Sequence, residues 1–314
     1  MMISLFFDRL SRLHTYKRLY TKIMSPFVSF PKIKNPTLIM TLLVRDEEDV
    51  IEQNLKFHKA MGVDSFIVTN NASTDKTGEI LEKYKKLGWI KELIYTGDKS
   101  YKQSVHVDKM IRIAIEKYHA DWIINCDADE FWWTKKKNLK KEIENFDCNI
   151  CYVPLMNVYP EEGKKIFDCS LFVAGEVNAN EYPNLSPYSI YDKMIPKVIH
   201  RSKYYQHIHD GNHLVDMRYE KAIVSETIRI HHYQYRSFEH FKHKVETAGK
   251  SVQQNPDPQF CYHWRYFYKI LQSGEITQEY EKVVGSMYIK SFIQKRLVID
   301  EKEYMEFLKK SITN

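Results

Sequence analysis

Between residues 38 and 126, apolar runs of strand length alternate with apolar stripes of helical spacing. Residues 38–44, Leu-Ile-Met-Thr-Leu-Leu-Val, read as a buried strand, and residues 47–61 as a helix with Ile51, Leu55 and His58 on one face. Ser65 to Val68 reads as a short second strand that ends in the polar run Asn70-Asn71-Ala72-Ser73-Thr74-Asp75. That run opens a helix, with Asp75 as its cap and Glu79 and Ile80 in its first turns. Residues 90–95 read as a third strand. Val107, Ile111, Ala114 and Tyr118 stripe another helix, and Trp122 to Cys126 form a fourth strand that runs straight into Asp127. Such alternation implies a mostly parallel sheet with right-handed crossovers, whose ligands bind beyond the carboxyl ends of the strands. Three of the four strand ends carry polar clusters: Arg45-Asp46-Glu47, Asn70-Asn71 and Asp127-Ala128-Asp129-Glu130. All three are expected to face one crevice.

Beyond residue 135 the alternation is lost. Residues 147–200 mix short strand-like pieces with prolines and aromatics, residues 200–243 hold eight of the thirteen histidines, and the chain from about 236 reads as helix. The expected organisation is a segment 1–34, a nucleotide-sugar half 35–135, an acceptor half 136–245 and a helical extension 246–314. A length of 314 residues, 43% of them hydrophobic and 28% charged, is ordinary for a chain with a large core. No apolar run approaches the roughly 20 residues needed to span a bilayer. Five scattered cysteines form no disulfide framework, and Cys148-x-x-Cys151 lacks a second pair at zinc spacing, so buried thiols in a reducing compartment are expected.

The net charge of +6 is unevenly placed. Residues 1–34 carry Arg9, Arg12, Lys17, Arg18, Lys22, Lys32 and Lys34 against Asp8, seven minus one, which is the whole excess. In the same segment Phe6, Leu10, Leu13, Tyr16, Tyr20 and Ile23 recur at helical steps. A basic amphipathic helix suits an anionic membrane surface, or else packs on the domain with its cations in water. Cationic excess confined to one end argues against a nucleic-acid role. Asp8 and Arg9 interrupt the opening apolar residues, so no secretory signal is read there. Together these features point to a cytoplasmic protein, with the inner face of the cell membrane as a peripheral site.

Chemistry centres on Asp127 and Asp129, one residue apart just past an apolar strand. Hard cations such as Mg2+ and Mn2+ take carboxylate oxygens and keep positions for phosphate oxygens, and a cation on a diphosphate neutralises charge on the leaving group. Paired carboxylates serve kinases, nucleases and phosphatases equally well. No GxxxxGK[ST] phosphate loop is present among only ten glycines, which weakens a nucleotidyl- or phosphotransferase reading.

Five pieces in order narrow the choice: Thr41-Leu42-Leu43-Val44-Arg45-Asp46-Glu47-Glu48, Asn70-Asn71-Ala72-Ser73-Thr74-Asp75, Asp127-Ala128-Asp129-Glu130-Phe131, Lys197-Val198-Ile199 with Arg201, and His232-Tyr233 followed by Arg236-Ser237, Glu239, Phe241 and Lys244. Over roughly residues 38–245 the chain resembles family 2-type glycosyltransferases, in the bacterial branch whose metal motif reads Asp-x-Asp-Glu-Phe. The resemblance implies an α/β, GT-A-like fold, a nucleoside diphosphate sugar as donor and inversion at the anomeric carbon. It places Thr41 to Arg45 along the base and ribose pocket. Asn71 falls where the family commonly has an Asp on the base. An amide still offers a donor and an acceptor to a uracil edge.

The resemblance also implies a late histidine as third metal ligand: His232, with His209 and His231 as alternatives. Lys197 and Arg201 are expected near the diphosphate, where cations help its departure. An inverting transfer needs a general base. Glu130 is the first candidate, Asp210 the second, and Glu162 and Glu176 remain open. Trp132 and Trp133 are either sugar-stacking or core residues. The expected activity is a Mn2+- or Mg2+-dependent transfer from a UDP-sugar to a glycan, lipooligosaccharide or other lipid-linked acceptor. The rival is a glycan- or nucleotide-binding protein with a degenerate site.

Overall fold

A computed structural model of the chain describes residues 24–97, 103–253 and 261–313. The stripe from Phe6 to Ile23 lies outside the described residues. The chain divides into two compact units, residues 1–154 with 195–229 and residues 155–194 with 230–313.

The first unit is built on a seven-stranded sheet. Its parallel part comprises β1 (Leu38–Val44), β2 (Ser65–Asn71), β3 (Ile90–Thr96) and β4 (Trp122–Cys126). Strands β1 and β4 are almost wholly buried, as continuous apolar runs covered on both faces should be. Helices α1 (Ile51–Ala60), α2 (Thr77–Lys86) and α3 (Gln103–Glu116) supply the crossovers. Val107, Met110, Ile111 and Ala114 of α3 pack on Ile39, Ile67 and Ile123 of the sheet. Asp75 accepts the Thr77 amide at 2.9 Å from one residue ahead of the N-cap position, Lys76, so it satisfies a first-turn N–H of α2 without being its cap residue. Strand β2 runs three residues further than expected. Its ladder needs only backbone, and Asn70 and Asn71 pair with Tyr95 and Thr96 whatever their side chains.

The sheet is completed by strands drawn from the supposed acceptor half, so a cut at residue 135 does not describe this unit. After β5 (Glu130–Thr134) and the short helix α4 (Leu139–Ile143), β6 (Ile150–Val153), β9 (Lys197–Arg201) and β12 (Ala222–Val224) extend it in the order β12-β6-β9-β4-β1-β2-β3. Strand β9 is antiparallel to both neighbours. A separate hairpin pairs β10 (Tyr205–Ile208) with β11 (Val215–Met217). The polar-rich β9 escaped the apolar pattern because its polar side chains are satisfied inside the sheet.

One such arrangement crosses three strands. Thr41 Oγ donates to Asn125 Oδ1 at 2.7 Å, Asn125 Nδ2 meets His200 Nε2 at 3.1 Å, and His200 Nδ1 faces the Arg201 carbonyl at 3.1 Å. A carbonyl only accepts, so Nδ1 carries the proton and Nε2 accepts from Asn125. The hydroxyl of Thr41, 1% exposed, is therefore spent inside the sheet. The expectation that it lines a nucleotide pocket is corrected.

The second unit contains β7 (Leu155–Asn157) parallel to β13 (Ile228–His232), and β8 (Leu171–Val173) antiparallel to β14 (Val298–Asp300). Five helices follow: α5 (Phe238–Gln253), α6 (Tyr262–Ser273), α7 (Ile276–Val284), α8 (Ile289–Gln294) and α9 (Lys302–Thr313). Tyr191, Phe241, Phe267, Val283 and Phe292 centre its core. Among the described residues no helix is long and apolar enough to cross a membrane.

The buried ring of His200 generates a pH prediction. Burial pushes it from 6.5 down to about 4. The unfolded chain takes up this proton below about pH 6.5 while the folded chain refuses it until about pH 4. Stability is therefore complete above 6.5 and falls as pH drops through that window, by about 3 kcal/mol for this group. Denaturant titrations from pH 7 to 4 should show a slope to which buried His58, pushed down to about 3, also contributes, and His200→Gln should reduce it by this group's share. An equal slope in the variant would contradict the assignment.

Candidate active site

At the carboxyl end of β4 the chain turns back on itself. The Glu130 amide donates to the Asp127 carbonyl at 3.1 Å, and β5 begins at Glu130. Because β9 is antiparallel to β4 with Ile199 opposite Ile124, its first residue, Lys197, arrives at this same end. Lys197 Nζ lies 2.6 Å from Asp127 Oδ2 and 2.9 Å from Glu130 Oε1. Glu130 is fully buried, and its Oε2 accepts the Asp127 amide at 3.2 Å. Burial pushes the Glu130 carboxyl up to about 8, against the pull of Lys197 and with the push of Asp127. Burial alone would discharge Lys197, but the two carboxylates outweigh it and hold the ammonium above the usual lysine range.

The other carboxylate oxygen of Asp127 faces two amides, Gln103 Nε2 at 3.3 Å and Asn212 Nδ2 at 3.4 Å. Gln103 opens α3, and its Oε1 accepts the Gly211 amide at 3.1 Å. Asp210 accepts the Ser104 amide at 2.7 Å, which satisfies a first-turn N–H of that helix. Gly211 and Asn212 are both left-handed, with φ of 76° and 58°. A Cβ on Gly211 would stand 2.5 Å from the His213 ring, so only glycine fits. Asn212 is 1% exposed and its Oδ1 has no hydrogen-bond partner among the described residues. His213 Nδ1 meets the Pro196 carbonyl at 3.1 Å, which fixes the proton there and leaves the lone pair on Nε2. Burial, then Lys197, pushes this ring below its ordinary value, so it is neutral at pH 7.

The remaining sequence candidates separate. Asp129, 6% exposed, stays with Asp127 in the turn. Arg45 stands at the end of β1, its side chain 45% exposed and 3.6 Å from Asp46. Asn71 ends β2, and its Oδ1 is buried without a partner among the described residues. Arg201 is corrected: it pairs with Trp122 at the opposite end of β4, where it donates to the Phe30 and Phe146 carbonyls and lies over the Trp122 ring. Four residues of strand, roughly 13 Å, separate it from Lys197. Trp132 and Trp133 are buried core side chains. His209 pairs with Asp216 on the exposed hairpin, and His231 is stacked on Tyr304 in the second unit's core. Glu162 and Glu176 are exposed in the second unit. His232 also belongs to that unit, where Asn157 Oδ1 holds its Nδ1 at 2.8 Å.

Two carboxylates at a strand end, one pinned by an ammonium, are chemistry for a hard cation and a diphosphate. Residues 42–200, 159 of the 314, match the model of glycosyl transferase family 2. The chain belongs to glycosyl transferase family 2. It is a glycosyltransferase, and the fold described above is the mixed, mostly parallel α/β sheet expected of it. No curated protein matches the sequence. Among solved structures the chain is similar to S. aureus TarS 1-349, at 12% identity and a TM-score of 0.36 over 83% of this chain and 74% of that one. The complex of TarS 1-349 with UDP gives 11%, 0.38, 83% and 74%. Glucosyl-3-phosphoglycerate synthase from Mycobacterium tuberculosis, with Mn2+, UDP-glucose and phosphoglyceric acid, gives 14%, 0.28, 54% and 57%.

Gln103, Asn212 and His213 were missed by sequence reasoning. The only signal was the Asp210-Gly211-Asn212 turn chemistry, which says that a turn occurs and not what it touches.

Lys197 offers a direct test of the electrostatics in this glycosyltransferase. Removing one partner of a buried ion pair costs about 3–5 kcal/mol, because the other is left unpaired. Lys197→Met should lower unfolding free energy by that order, and adding Glu130→Gln should restore much of it. A single variant as stable as the parent would show that the ion pairs contribute nothing.

Proposed function

We propose that the chain transfers a sugar from a UDP-sugar to a hydroxyl of a glycan acceptor, with inversion, using Mn2+ or Mg2+ held by Asp129 and Asp127. The observation that carries this reading is the strand-end turn in which Asp127 and Glu130 hold one buried ammonium and Asp129 lies between them in sequence. Asp129, with Asp127 beside it, offers the carboxylate oxygens that one divalent ion takes. Among the described residues no three His, Cys, Asp or Glu side chains are gathered as a complete metal cage. Two carboxylates are enough where diphosphate oxygens and water complete the shell. The bound ion would neutralise charge on the departing diphosphate.

The chain's own residues supply recognition and proton transfer. The orphan Oδ1 of Asn71 suits the N3–H of a uracil, a donor that the usual acidic residue would also accept. Arg45, beside it at the β1 end, is proposed to line the same pocket. Lys197 holds Asp127 and completes the positive lining for phosphate. Glu130 is closed off, with one oxygen on Lys197 and the other on a backbone amide, so it supports the turn and is a poor base. Asp210 is committed to α3. His213, neutral and with Nδ1 fixed, is the better group to take the acceptor's proton. A lipid-linked acceptor and contact with an anionic membrane rest on residues 1–34 alone; deletion of that segment should abolish sedimentation with anionic vesicles, and unchanged sedimentation would dismiss the idea.

A donor-binding assay with and without Mn2+ tests the assignment. Asp129→Ala should lose metal-dependent donor turnover while keeping the fold. Asn71→Ala should weaken UDP binding by about 1–3 kcal/mol, the worth of a buried polar partner. Full turnover in the first variant, or in the parent with excess chelator, would overturn the metal assignment; an unchanged UDP affinity would remove Asn71 from the pocket. His213→Gln with parental turnover would return the base to Asp210, Glu162 or Glu176.

A further inference from the structure

Two residues outside the carboxylate turn hold its backbone. Asn54 and His58 lie one turn apart on α1, both fully buried, with no role in the chemistry proposed above. Asn54 Nδ2 donates to the carbonyls of Ala128 and Glu130, at 2.9 Å each, and so spans Asp129 on both sides. His58 Nε2 lies 3.0 Å from the Trp132 amide, two residues further along β5. His58 Nδ1 faces the Asn54 carbonyl at 2.9 Å and Asn54 Oδ1 at 3.0 Å.

No proton in this chain is free to be placed elsewhere. A backbone amide only donates, so Trp132 makes Nε2 the acceptor and puts the ring proton on Nδ1. The carbonyls of Ala128 and Glu130 only accept, so Asn54 turns Nδ2 toward the turn, and its Oδ1 then joins its own backbone carbonyl as an acceptor for that proton. Both hydrogens of Nδ2 then fall on carbonyls flanking Asp129. Phe57 edges the imidazole ring and Phe131 stacks on it, which denies it another rotamer. Burial pushes the ring down to about 3, so it stays neutral.

We infer that Asn54 and His58 are positioning residues that set the curvature of the Asp127–Glu130 turn, and through it the direction of the Asp129 carboxylate. The inference rests on the reading of that turn as a metal–diphosphate site. Its first consequence needs no ligand. The amides of residues 126–132 are protected because the turn is tied to α1, and they lose protection when the tie is cut.

The test compares Asn54→Ala, Asn54→Asp and, as a control from the same helix, Leu55→Ala. Asn54→Asp keeps the acceptor for His58 and removes the amide donors, so it preserves the shape if the alanine variant fails to fold. In ligand-free protein, hydrogen exchange over residues 126–132 should quicken in both Asn54 variants but not in the control, even though Leu55→Ala lowers Tm. The dissociation constant of UDP with Mn2+ should rise about tenfold in the Asn54 variants, the usual cost of losing an outer support of a metal ligand. UDP binding in chelator should be unchanged, a split that general destabilisation would not produce. Unchanged exchange in the Asn54 variants, or equal losses in Leu55→Ala, would overturn the proposal. Faster exchange with no Mn2+ effect in any protein, parent included, would sink the metal reading and leave the turn-shaping role standing.

Discussion

The buried ammonium of Lys197 is the constraint on which the site depends. Three carboxylates within four residues would repel one another at a strand end, and Glu130 has no access to water. One cation between Asp127 and Glu130 makes the cluster tolerable. That cation can arrive only because β9 runs against β4 and starts where β4 stops. The antiparallel strand in an otherwise mostly parallel sheet is therefore what lets this chain concentrate negative charge at one point. Such a pair adds little to net stability compared with apolar packing, so its value lies in where it holds the charges.

Each carboxylate consequently acquires a different environment. Glu130 is locked between an ammonium and a backbone amide, Asp127 shares its oxygens among Lys197, Gln103 and Asn212, and Asp129 follows between two carbonyls held by Asn54. Adjacent residues of one chemical type can then take different tasks, support, orientation and ligation. The loop at Asp210–His213 serves the same end from outside the sheet, tying α3 to Asp127 through short polar contacts.

What was legible in the sequence follows from range. The parallel core showed because apolar periodicity is local: the strand at Trp122–Cys126, the stripe on α3 and the polar strand ends each occupy one stretch of chain. Asp127 and Asp129 were legible for the same reason. Strand β9 was not, since Lys197, His200 and Arg201 look unfit for a central strand until their partners, 55 to 75 residues away, are known. Thr41 and Arg201 were misplaced because residue type says that a group must be satisfied, never by whom. His58 read as one face of an ordinary helix with Ile51 and Leu55, Asn54 drew no reading, and nothing local marked either as a support of a turn more than 70 residues later.

Diffraction from crystals grown with Mn2+ and UDP, collected at a wavelength where manganese scatters anomalously, tests the central claim most directly. The account predicts one strong peak coordinated by Asp129, with Lys197 still between Asp127 and Glu130. A manganese peak away from the turn, or a bound diphosphate that reaches neither Asp129 nor Lys197, would contradict it.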